Sequence, residues 1–180
     1  ILDKNPDEQK KELDAFVEKV KKNGKGKKYD CIVGVSGGVD SSWVLVKAVQ
    51  LGLSPLAVHM DNGWNSELAQ NNIENLVRGL GVDLFTYVIN WEEYRSLMQA
   101  FFDADVIDIE LLYDNAMAAV IFEQAAKHGL QYILTGNNKA TEGILLPRSW
   151  VWIKMDKKNI VALGKRFGNV KLKSFPAVGS

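Results

Sequence analysis

Apolar and polar positions alternate along the chain with two distinct periods. Leu13, Phe16, Val17 and Val20 recur at helical spacing and predict an amphipathic first helix. Asn5 stands where a cap belongs, Pro6 suits the first helical position, and Glu8 sits where a capping-box acid would. Asn23-Gly24 ends this helix, and the Lys-rich NGKGKK after it reads as a solvated loop. The period then shortens. Short β-rich runs at 30–35, 55–60, 82–89 and 131–134 predict four strands. Between them lie helical patterns through Trp43–Leu51, along Ala69, Ile73, Leu76, Val77 and Leu80, and over Trp91–Phe102 and Leu111–His128. Gly52 and Gly81 punctuate the first two. Strands alternating with helices predict an α/β fold, a doubly wound parallel sheet sandwiched by helices in the Rossmann manner.

Composition places the chain among ordinary globular domains. It has 180 residues, 47% hydrophobic and 24% charged, with 22 basic and 22 acidic side chains, which excludes collagenous, low-complexity and mostly disordered classes. No window approaches 18 apolar residues and the start, ILDKNPDEQK, is charged, so neither a membrane span nor a signal peptide is expected and the cytoplasm is the expected compartment. The missing initiator Met suggests a piece of a longer protein. One cysteine, Cys31, excludes an intrachain disulfide.

Zero net charge conceals an asymmetry that defines three expected segments. Residues 1–28, a helix and Lys-rich loop, carry nine Lys against six acids, +3. Residues 29–147, the expected α/β domain, carry 15 acids against five bases, −10. Residues 148–180 carry eight bases against Asp156, +7, and read either as a solvated tail or as a strip that meets phosphates. The acidic body argues against nucleic acid as a partner.

The candidate chemistry lies after the first strand. Val35-Ser36-Gly37-Gly38-Val39-Asp40-Ser41-Ser42 falls between that strand and the next helix, at the carboxyl edge where open α/β sheets bind ligands. Two glycines let the backbone approach an anion, the helix N-terminus offers amides, and three serines add hydroxyls. The loop lacks the Gly-Lys-Ser/Thr ending of a Walker A loop and the GxGxxG dinucleotide fingerprint. Gly34-Val35-Ser36-Gly37-Gly38 also satisfies the G-x-S-x-G elbow of serine hydrolases. That reading needs a later acid and His, and only His59 and His128 exist.

SGGVDSS resembles the PP-loop of the ATP pyrophosphatase superfamily, of adenine nucleotide alpha-hydrolase-like fold. The resemblance implies ATP with Mg2+, cleaved between the α- and β-phosphates after a substrate oxygen attacks the α-phosphorus. It implies that Ser36, Gly37, Gly38, Ser41 and Ser42 hold pyrophosphate, and that Asp40 orders the loop or contacts Mg2+. It further implies Met60, in HMDNGWN, at the adenine, and Thr135-Gly136 against the nucleotide, with Asn137 and Lys139 near the reacting carbonyl. Thiolating relatives that act on tRNA generally use reactive cysteines, whereas Cys31 sits mid-strand.

The later segments TGNNKATE at 135–142, Leu146-Pro-Arg148, Met155–Asn159 and Lys171–Pro176 resemble the N-acetyl sugar amidotransferases of bacterial surface-polysaccharide, or O-antigen, synthesis. That resemblance implies a nucleotide-activated N-acetyl sugar whose acetamido oxygen is adenylated and then replaced by glutamine-derived ammonia. It implies glutaminase and ammonia-channelling partners similar to imidazole glycerol phosphate synthase, and leaves homo-oligomerisation open. Candidate substrate contacts are Asn137, Lys139, Glu142, Arg148, Lys154 and Lys165-Arg166, with Trp64, Trp150 and Trp152 as stacking residues. Two alternatives stand beside this expectation: another PP-loop synthetase of amide, NAD, GMP or tRNA-modifying type, and a non-catalytic ATP-binding module.

Overall fold

The computed structural model describes residues 5–137 and 153–179. Among these residues ten elements follow in order: α1 (Pro6–Gly24), β1 (Cys31–Gly34), α2 (Val39–Gln50), β2 (Pro55–Asp61), α3 (Glu67–Leu80), β3 (Leu84–Val88), α4 (Trp91–Asp103), α5 (Leu111–His128), β4 (Ile133–Leu134) and α6 (Lys157–Phe167). The strands form one parallel sheet of order β3-β2-β1-β4, flanked by helices. This is the expected α/β, Rossmann-like fold. Chain order reverses at β1, so the segment after it emerges at a switch point.

The chain divides into two compact units. One comprises Ile1–Val58, Leu68–Phe85 and Gln124–Gly136; the other comprises His59–Glu67, Thr86–Glu123 and Asn137–Ser180. In the first, Cys31, Val33 and Val35 of the β1 run pack with Val17 and Val20 of α1, Leu45 and Ala48 of α2, and Ile73 of α3. Ile32, Leu56 and Val58 are buried as well, so both faces of the central strands are covered, which is why these strands are near-continuous in apolar residues. Each such side chain, fully buried, contributes roughly 1.5–3 kcal/mol.

Three details depart from the sequence reading. Only the carboxyl half of α1's apolar stripe is buried: Leu13 and Phe16 stay exposed, and Phe16 stands edge-on to Tyr132. The edge strands β3 and β4 are shorter than their sequence runs, although the Ile32 amide still donates to the Tyr132 carbonyl just before β4. Finally, the basic segment contains α6, which the charge pattern concealed. Asp156 caps it by accepting from the Asn159 amide, Ile160 is fully buried, and Gly164 allows close packing because a Cβ there would come within 2.9 Å of Leu97 on α4.

The rest of that segment is held by buried polar side chains. Glu93 accepts from the amides of Lys173, Ser174 and Phe175 and from the Ser174 hydroxyl at 2.9–3.1 Å. Burial alone would raise its pKa, but these donors outweigh burial and hold the carboxyl below its ordinary value. Asn115, fully buried, donates to the carbonyls of Lys154 and Val178 and accepts from the Val178 amide. Ser96 accepts from the amides of Asn169 and Val170.

Candidate functional site: the serine loop after β1

Ser36–Ser42 turns from the end of β1 into the first turn of α2. Gly37 takes φ +79°, a conformation that disfavours any side chain, and a Cβ there would lie 2.5 Å from the Ala69 carbonyl oxygen. Asn72 of α3 donates to the Gly37 carbonyl at 3.2 Å and fixes the turn from outside. The serines fasten it from within. The Ser41 hydroxyl accepts from the Ser36 amide at 3.2 Å and lies 3.1 Å from the Ser36 hydroxyl, and the Ser42 hydroxyl donates to the Gly38 carbonyl at 2.7 Å. Gly38 is the N-cap of α2 and has no side-chain cap bond, so no side chain screens the first amides of the helix as a cap would.

Gly136 closes the other side. A Cβ there would stand 2.9 Å from the Asp40 carbonyl carbon and 3.0 Å from the Ser41 amide nitrogen, so only glycine lets the end of β4 come this near α2. Ser36, Gly37, Gly38, Asp40, Ser41, Ser42 and Gly136 are thus brought together, and exposed Thr135 precedes Gly136 directly. The result is an open cradle of amides, hydroxyls and one helix dipole end, which suits a multiply charged oxyanion. Asp40 is an exposed carboxylate in the first turn of α2. Among the described residues no cluster of three His, Cys, Asp or Glu could cage a metal. A lone carboxylate beside a phosphate cradle fits Mg2+ held chiefly by substrate phosphates.

The other expected residues lie as follows. Met60 is fully buried near the end of β2. Asn137 is exposed. Lys139, Glu142, Arg148, Trp150 and Trp152 lie outside the described residues. Lys154 pairs with Asp114 and, at 3.4 Å, with Asp108; the Asp114 contact outweighs burial and raises its pKa. Lys165 and Arg166 are exposed in the last turn of α6, where they complement the helix dipole. Asn72 and Ala69, which shape Gly37, carried no signal in the sequence because they sit on an otherwise ordinary helix.

The hydrolase reading finds no support. The Ser36 hydroxyl meets Ser41 and the Gly38 amide, His59 is buried and bonded to Asn65, and His128 packs edge-on against Tyr29. Cys31 is fully buried; burial first, and the Asp30 carboxylate second, push its thiol well above its ordinary pKa, so it is no thiolate at neutral pH.

The sequence profile of the family described as NAD synthase matches residues 9–166. The chain belongs to the NAD synthase family. No curated protein matches it. Among solved structures it is similar to the glutamine-dependent NAD+ synthetase of Acinetobacter baumannii in complex with ADP, with a TM-score of 0.54 and 22% identity over 71% of this chain. The chain spans only 24% of that protein's length. It is also similar to the NMN synthetase of Francisella tularensis (TM-score 0.54, 18% identity, 92% of this chain and 71% of that one). The third is the NH3-dependent NAD synthetase of Campylobacter jejuni, in complex with nitrate (0.56, 17%, 86% and 70%). At these identities the likeness establishes the shared fold. Among the described residues no helix is long and apolar enough to cross a membrane.

Proposed function

We propose that this chain is the ATP-dependent synthetase subunit of an amidotransferase, acting on a nucleotide-activated N-acetyl sugar. The observation that carries the reaction class is the serine cradle, in which Gly37 and Gly136 are both positions where a Cβ would collide with backbone. The acceptor rests on the likeness of 135–142, 146–148, 155–159 and 171–176 to the N-acetyl sugar amidotransferases.

In the proposed reaction the acetamido oxygen attacks the α-phosphorus of ATP as the bond to pyrophosphate breaks. Ammonia then adds to the adenylated carbon, AMP leaves with the former amide oxygen, and an acetamidino group remains. The amides at the start of α2 and the hydroxyls of Ser36, Ser41 and Ser42 hold the pyrophosphate and stabilise the charge it gains on leaving. The exposed Asp40 carboxylate would order the loop or contact Mg2+, which when bound would supply neutralisation of phosphate charge. Thr135 and Gly136 border the nucleotide, and Asn137 with Lys139 orient the reacting carbonyl. Ammonia comes from glutamine by way of a glutaminase partner, in the cytoplasm, for O-antigen assembly.

A second reading is favoured by the family match over 9–166: the acceptor is a pyridine-nucleotide precursor, since the matching family and the similar structures are named for synthesis of NAD and NMN. The same cradle serves both. The test supplies ATP, Mg2+ and ammonia with either acceptor. AMP and pyrophosphate formed only with the N-acetyl sugar nucleotide support the proposal. Formation with a deamidated pyridine nucleotide favours the second reading, and ADP with orthophosphate overturns both.

A further inference from the structure

Two indole rings stand in solvent at matching positions on neighbouring strands. Trp64 lies three residues beyond the end of β2 and Trp91 three residues beyond the end of β3. The ladder between these strands continues to their ends through the Ile89 amide and Asp61 carbonyl, 2.9 Å apart. Both rings therefore crown the carboxyl edge of the sheet, the edge at which open α/β sheets bind ligands. They meet edge-to-face, 5.6 Å between centroids, while Trp64 is 65% exposed and Trp91 42%.

The pair is supported from below. Trp91 stands edge-on to buried Tyr94, which stacks on Phe175 at 6.3 Å with the rings 10° from parallel. Glu93 fixes Phe175 through the 173–175 amides. Above, Gly63 takes φ +80° with its Cβ direction 3.4 Å from the Trp91 ring, and the Tyr94 hydroxyl bonds Asn62. Exposed rings on a scaffold this fixed retain an open π-face at little cost in side-chain ordering when a flat partner arrives.

From this we infer that Trp64 and Trp91 form a stacking site for a nucleobase. The inference rests on the proposed function for its two sources of base, the adenine of ATP and the base of the nucleotide-linked acceptor. Stacking of a base on an aromatic side chain is sequence-tolerant, because every base presents a π-face. Identity of the base is therefore decided by experiment.

The chain is titrated calorimetrically with AMP, with UDP-N-acetylglucosamine and with inorganic pyrophosphate, as wild type and as Trp64→Ala, Trp64→Phe and Trp91→Ala. The expected result is a loss of about tenfold or more in affinity for one of the two nucleotides in Trp64→Ala. Trp64→Phe, which keeps a ring, restores most of it, and pyrophosphate binding is unchanged in all. Loss confined to AMP assigns the platform to adenine; loss confined to the sugar nucleotide assigns it to the acceptor. Unchanged affinity for both nucleotides in both alanine variants, or no binding of either by the wild type, overturns the inference. Pyrophosphate binding separates the two failures: if it persists, the cradle reading stands while the platform falls.

Discussion

The serine loop and the carboxyl-terminal segment solve the problem of holding irregular backbone by opposite means. At 36–42 the constraint is steric and local: Gly37 and Gly136 leave no room for a Cβ, and the serines bond within five residues of themselves. At 153–179 the constraint is polar and remote. Glu93, Ser96 and Asn115, buried on α4 and α5, bond main chain 39 to 82 residues away. The first arrangement turns its serine hydroxyls onto its own backbone and leaves the start of α2 without a side-chain cap. The second spends its donors inward, as a clamp does. Charge alone misleads about both, since the loop has a single acid and the segment is strongly basic.

Substitutions break the comparison in graded steps. The largest effect is expected for Gly37→Val, which combines an unfavourable φ of +79° with a collision at the Ala69 carbonyl. It should abolish pyrophosphate binding and destabilise the fold by about 2–4 kcal/mol, read by calorimetry and thermal melting. Glu93→Ala removes the buried acceptor of three amides and a hydroxyl, and should cost about 3 kcal/mol. Hydrogen exchange should accelerate at 173–175 while pyrophosphate affinity stays at the wild-type level. If the two variants affect the same residues equally, the distinction between a local cradle and a remote clamp is wrong.

Smaller effects sharpen it. Asp40→Ala and Ser36→Ala should each keep the fold, because both side chains are exposed. Ser36→Ala should weaken pyrophosphate by about tenfold through one lost hydroxyl contact to a charged ligand. The Asp40→Ala defect should appear in Mg-ATP binding and shrink when Mg2+ is omitted. The smallest effect is a pH dependence. Because folding depresses the Glu93 pKa, its contribution is complete above the ordinary carboxylate range and is lost as pH falls through the depressed value. Acid melting should therefore flatten in Glu93→Gln relative to wild type.

These contrasts also explain what the sequence disclosed. The strands with buried faces, such as Cys31–Gly34 and Pro55–Asp61, announce themselves as apolar runs, and the helices between them by period. SGGVDSS was legible because its constraints lie within the motif. Helix α6 was not, since its buried face amounts to Ile160 and Gly164 among exposed lysines, and its packing depends on Leu97 far upstream. The roles of Glu93 and Asn115 were hidden for the same reason: a polar residue on a helix looks solvated until the fold brings backbone to it. Gly136 owes its role to the nearness of Asp40 in space, which the local sequence does not record.

We propose that the loop after β1 cradles pyrophosphate. Calorimetric titration of the chain with pyrophosphate, beside Gly37→Val and Ser36→Ala, tests it most directly. The account predicts saturable binding of one pyrophosphate per chain, weakened in Ser36→Ala and absent in Gly37→Val. Equal binding by all three proteins would contradict it, because the anion would then be held somewhere other than Ser36–Ser42.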